Sequence, residues 1–189
     1  MRRKILTNDN RAVEVLRIPY YYQSNSDWLC FVFSLKMCLE YFKNIYQNTV
    51  VRNNTPNLNI DNIKALTHSR EFTGTRVDRS LMNELSREIP PIEFSLNEEC
   101  SIDTLIDNFK KNLPTIVLYN CSYVLYEEAG PGHAGVVIGI VEDNDLILNN
   151  PWLGPEKLVK WKDFLKGWEL EYNRVVVMKP KTQTRLVVE

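Results

Sequence analysis

The longest near-continuous apolar stretch of the chain runs Trp28-Leu-Cys-Phe-Val-Phe-Ser-Leu-Lys-Met-Cys-Leu-Glu-Tyr-Phe42, broken only by Ser34, Lys36 and Glu40. Fifteen residues are too many for an ordinary strand, so the stretch predicts a helix. Because it is apolar almost all round, that helix is expected to be buried on most sides. Ser26 or Asp27 would cap it, a side-chain oxygen accepting from the first unpaired backbone N–H groups. A loop follows over Asn44–Asn59, rich in Asn and holding Pro56. Amphipathic spacing then predicts three more helices: one carrying Ile60, Ile63 and Leu66, one carrying Leu81, Leu85 and Ile89 before Pro90, and one over Ser101–Asn112 with Ile102, Leu105, Ile106 and Phe109 on a face.

Past residue 112 the period changes from helical to alternating. Thr115–Tyr119, Ala134–Val141, Asp145–Leu148 and Val175–Met178 are short, rich in β-branched residues and bounded by turn formers, the pattern of strands. Glu142-Asp-Asn-Asp145 would turn between the second and third of them. Helices first and antiparallel strands afterwards predict an α+β fold, with the buried helix between a helical part and a sheet in a two-lobed single domain. Residues 179–189 read as a tail in which Leu186–Val188 could add an edge strand.

Composition narrows the function classes. A chain of 189 residues suits one domain, and 44% hydrophobic against 25% charged residues excludes bulk disorder. The net charge of −1 supplies no basic field, which argues against nucleic acid or an anionic membrane as partner. No apolar run reaches spanning length and none follows the basic start Met1-Arg-Arg-Lys4, so a cytoplasmic location without a signal peptide is expected. The four cysteines, at 30, 38, 100 and 121, show neither Cys-x-x-Cys nor zinc spacing; reduced thiols and no metal are expected.

Cys30 is the cysteine with a chemical setting. With Asp27 as cap it would be the third helical residue, where free N–H groups and the helix dipole favour a thiolate. The plainer alternative is a small hydrophobe in an apolar helix, and Cys38, deep in the same helix, is read that way; Cys100 and Cys121 are also read as structural. A thiol nucleophile needs a base. Of the two histidines, His68 sits among polar helical residues and reads as solvated, whereas His133 opens the Ala134–Val141 strand inside a segment holding four of the seven glycines, where a backbone bare of side chains permits close approach. That segment also spells Gly130-x-Gly132-x-x-Gly135, but β-branched residues follow where a dinucleotide site needs a helix, so the motif is rejected. A histidine base needs an orienting group, and Asn149-Asn150-Pro151 ends the strand expected to pair with that of His133. Gln23, in the loop approaching the helix, could offer its amide to an oxyanion beside the Cys30 N–H.

Together these residues resemble the papain-like cysteine peptidases, most closely the free-standing relatives of the double-glycine leader peptidases found fused to bacteriocin exporters. Ile18-Pro-Tyr-Tyr-Tyr-Gln23 is similar to the leading strand that ends in the oxyanion glutamine, and Cys30 with Ser34, Leu35, Met37 and Leu39 to the nucleophile helix. Gly132-His-Ala-Gly-Val-Val-Ile-Gly139 resembles the histidine strand, Leu146-Ile-Leu-Asn-Asn-Pro151 the segment of the third catalytic residue, and Trp161, Phe164, Leu165 and Trp168 the helix after it. Three positions depart from the family pattern: Phe31 stands where glycine is usual, the Gln23–Cys30 interval is one residue longer, and Asn150 replaces aspartate, as papain's own asparagine does. The resemblance implies a papain-like domain over residues 18–178, with 1–17 an extension, and a thiol-dependent amide hydrolase acting on a peptide or protein. In it Cys30 and His133 would form a thiolate–imidazolium pair, Asn150 (or less favourably Asn149) would hold the ring, Gln23 would serve the oxyanion, and no cofactor would take part. An acyltransferase or deamidase with the same triad, or an inactive papain-fold binding protein, are the alternatives; oligomeric state is left open.

Overall fold

The computed structural model describes residues 1–7, 10–23, 28–45, 59–128, 130–141 and 145–181. The expected Ser26 or Asp27 cap, most of the Asn-rich loop, the 142–144 turn and the 186–188 strand fall outside these residues. In chain order the elements are β1 (Arg2–Leu6), β2 (Ala12–Leu16), α1 (Cys30–Ile45), α2 (Ile60–Leu66), α3 (Arg79–Glu88), β3 (Ile92–Asn97), α4 (Ile102–Lys110), β4 (Thr115–Asn120), α5 (Cys121–Tyr126), β5 (Gly132–Ile140), β6 (Leu146–Asn150), β7 (Gly154–Val159), α6 (Trp161–Glu169) and β8 (Val175–Pro180). This is the α+β architecture the patterning predicts.

Six strands form one antiparallel sheet in the order β3-β8-β4-β5-β6-β7. Alternation sorts its side chains onto two faces. Ile116, Leu118, Ala134, Val136, Ile138, Ile147, Val176 and Met178 join the apolar cluster of α1, while Val117, Val137, Leu146, Leu148, Val175 and Val177 join Leu105 of α4 and Phe164 and Trp168 of α6. The sheet is therefore covered on both sides, and β4 is buried along its whole length. Helix α1 is buried as expected, Val32, Leu35, Met37, Cys38 and Leu39 all being 0% exposed. Burying one such side chain is worth roughly 1.5–3 kcal/mol, so α1 is fixed by its packing far more than by its ends.

Residues 1–17, read from the sequence only as an extension, form the β1–β2 hairpin. Its docking uses the bareness of Gly139: a Cβ there would come within 2.9 Å of Val15 and 3.1 Å of the Glu14 carbonyl. Arg2 ties the hairpin to α4 by hydrogen bonds to the Asn112 side chain and the Phe109 carbonyl.

Candidate active site

Helix α1 begins at Cys30, which makes Cys30 the first helical residue and corrects the expected third position. The Leu29 carbonyl accepts the first intrahelical bond, from Phe33 N at 3.0 Å. One turn on, the buried Ser34 hydroxyl bonds the Ala134 carbonyl at 3.3 Å, pinning α1 to β5. Burial pushes the Cys30 thiol above its ordinary pKa, and hydrogen bonds from the backbone N–H groups of Ala134, Phe31 and Cys30 itself offset only part of the rise. The helix terminus thus favours the thiolate as expected, but desolvation wins.

His133 lies at the start of β5, 8% exposed, and its Nε2 is 3.0 Å from Asn150 Oδ1. The same Oδ1 accepts from the backbone N–H groups of Trp152 at 2.8 Å and Leu153 at 2.9 Å. Backbone N–H groups can only donate, so the atom facing them is the amide oxygen, and the proton between Asn150 and His133 belongs to Nε2. That leaves Nδ1 of the neutral ring as its only lone pair, and among the described residues no hydrogen bond engages it. Burial lowers the His133 pKa to about 4, with the Asn150 bond opposing. Burial thus moves the thiol up and the imidazole down, each against its charged form. The desolvation of each charged form outweighs the few dipoles that reward it.

Asn149, the less favoured candidate, is engaged elsewhere: its amide donates to the Ile18 carbonyl at 3.4 Å and accepts from Glu156 N at 3.2 Å. Gln23 is brought to the Asn150 end of β6, its N–H bonding the Pro151 carbonyl at 3.0 Å. Its side chain is 3% exposed, and among the described residues Oε1 has no hydrogen-bond partner. Such an orphan oxygen is costly to bury.

Cys30 and His133 line one cavity of about 660 Å³. Phe31, Trp28 and the 71–77 segment form one wall, while Gly132, Glu171 and Arg174 form another. The Glu171 carboxylate lies over Gly132, 2.9 Å from where a Cβ would stand, and pairs with Arg174. His68 is exposed and pairs with Glu84, outside this cavity, as read from the sequence. All four cysteines are free thiols, and Cys38 is 0% exposed among apolar neighbours. Among the described residues no group of three His, Cys, Asp or Glu is placed to hold a metal ion.

Two side chains that sequence reading passed over belong to this site. Asn150 Nδ2 donates to the Tyr119 hydroxyl at 2.8 Å and lies 3.7 Å from Cys121 Sγ, so Cys121 is not a remote packing residue. Tyr119 also stands edge-on to the His133 ring, centroids 5.6 Å apart. The signal lay in the register: antiparallel pairing of β4 with β5 sets Tyr119 opposite His133.

A thiol at a helix start, packed against an antiparallel sheet that carries an asparagine-held histidine, defines a papain-like arrangement. Residues 15–176 match the Peptidase_C39 like family, and the chain belongs to it. Among solved structures, a Bacillus anthracis protein named as a C39-like peptidase superposes with a TM-score of 0.60 over 95% of this chain and 98% of that one. At 14% identity that likeness concerns the fold. No curated protein matches.

Proposed function

We propose that the protein is a cysteine peptidase whose nucleophile is Cys30 and whose base is His133, acting on a peptide or protein. The observation that carries this reading is that Cys30 and the buried, Asn150-bonded His133 line one cavity. His133 Nδ1 takes the thiol proton and the sulfur attacks the scissile carbonyl, forming the C–S bond. The oxyanion is received by the Cys30 N–H and by the Gln23 amide, which turns its N–H toward it. On collapse the imidazolium protonates the leaving amine, giving a thioester; water, deprotonated by His133, then releases the acid and restores the thiol. Asn150 keeps Nε2 protonated throughout. Phe31, 2% exposed, narrows the cavity beside the nucleophile where a glycine would leave it open. Residues 18–178 form the catalytic unit in this reading, with the β1–β2 hairpin as a brace on its sheet.

Mass spectrometry of a degenerate peptide mixture incubated with the protein tests the reading. Wild type is expected to yield new termini and Cys30→Ala none, at an unchanged unfolding midpoint; equal cleavage by Cys30→Ala would remove the peptidase reading. Products carrying an amine in place of a new carboxylate would convert hydrolysis into acyl transfer.

A further inference from the structure

We infer that Tyr119 is a positioning residue for the reaction, acting on His133 through the amide of Asn150; the inference rests on the reading of His133 as the base. Asparagine lacks the charge with which a carboxylate would stabilise the imidazolium formed during attack, so only the amide dipole and its orientation are left. Oδ1 is held by Trp152 and Leu153 N–H from one side, and the other end of the amide is held by Tyr119, whose hydroxyl accepts from Nδ2 at 2.8 Å. Nδ2 also donates to Cys121 Sγ at 3.7 Å. An oxygen that accepts from Nδ2 cannot give its proton back to it, so the bonds run His133–Asn150–Tyr119 in one direction. Bonds ordered head to tail polarise one another. Donating an N–H to that hydroxyl leaves more electron density on the amide and makes Oδ1 a stronger acceptor for the Nε2 proton, which matters most when the ring becomes cationic. Tyr119 is 2% exposed and wedged against Phe164 at 5.3 Å between centroids, so its hydroxyl has little room to leave the amide. Cys121, at the first turn of α5, is a weak second acceptor for Nδ2. This gives the tyrosine a role separate from filling the sheet face.

Tyr119→Phe keeps the ring and deletes the hydroxyl. Two readouts decide: kcat and KM for a fluorogenic peptidyl coumarin amide that the wild type cleaves, and ¹⁵N NMR of the His133 ring, which reports its tautomer without turnover. The expected result is a kcat about tenfold lower at unchanged KM, with the single Nε2–H tautomer giving way to a mixture. In an Asn150→Ala background the same substitution is expected to change neither, because the amide it works through is gone. Unchanged kcat and tautomer in Tyr119→Phe, a loss confined to KM, or an undiminished effect in the Asn150→Ala background would each overturn the inference. Should Tyr119→Phe fail to fold, 3-fluorotyrosine at position 119, which keeps the ring and hydroxyl but makes the oxygen a poorer acceptor for Nδ2, is expected to lower kcat severalfold at constant KM, and no change overturns the inference. If the wild type cleaves no coumarin amide, the peptidase reading is what fails, and the tautomer alone decides on Tyr119.

Discussion

On the sheet side of the cleft, His133 and Asn150 are 8% and 1% exposed, and every polar atom of the Asn150 amide is bonded. On the helix side Cys30 is half-buried, and the Gln23 amide oxygen has no partner among the described residues. The proposed base, His133, is thus fixed through a fully bonded Asn150 amide, the proposed nucleophile, Cys30, by the packing of an apolar helix and one hydroxyl bond from Ser34. The two kinds of support differ in what they constrain. Packing places a backbone well and is indifferent to protons, whereas directed hydrogen bonds settle which nitrogen carries a proton. A base needs the second kind of control; a sulfur nucleophile at a helix start needs mainly to be in the right place.

Substitutions on the two sides should separate accordingly. Gln23→Ala, on the loosely bonded side, is expected to lower kcat by roughly a hundredfold to a thousandfold, the usual effect of losing an oxyanion donor, with little loss of stability because no hydrogen bond of its oxygen is broken. Asn150→Ala, on the saturated side, should lower kcat by about a hundredfold and also cost about 1–3 kcal/mol in denaturant unfolding, since Trp152 and Leu153 N–H lose their acceptor. Equal stability loss in both variants would erase the contrast. A smaller effect is set by pH. An unfolded chain protonates this imidazole below its ordinary 6.5, whereas the folded protein declines the proton until about 4. Stability is therefore whole above pH 6.5 and falls as pH drops toward 4, by about 3 kcal/mol once the window is crossed. His133→Gln should flatten that part of the stability profile; an unaltered slope would mean His133 is not the buried neutral group described.

Elements whose patterning served their own burial were legible. Helix α1 and strands β4, β5, β6 and β8 all read directly from apolar period and length. Strand β3 carries a clean alternation, Ile92, Phe94 and Leu96 inward, but its six residues directly follow Pro90 and Pro91, which read as a turn. Strand β7, Gly154-Pro-Glu-Lys-Leu-Val159, is a charged edge strand, and its composition reads as loop because only one partner rewards it. The β1–β2 hairpin has few inward positions of its own, and what orders it is the space left by Gly139 in a strand over a hundred residues away. Candidate site residues were legible where local chemistry marked them, as with Cys30 at a helix start and His133 among glycines. Tyr119 and Cys121 were not, because their relation to Asn150 exists only through strand register. The desolvation acting on Cys30 and His133 also escaped sequence reading: a helix terminus is local and visible, while burial is set by the whole fold.

Alkylation of the wild type and of His133→Ala with iodoacetamide, followed residue by residue by mass spectrometry alongside peptide turnover, tests the pairing of nucleophile and base most directly. Cys30 is expected to be modified well ahead of Cys38, Cys100 and Cys121, turnover to vanish in step with it, and the rate at Cys30 to drop sharply when the imidazole is removed. Modification of Cys30 at the same rate without His133, or full turnover by protein alkylated there, would contradict the account.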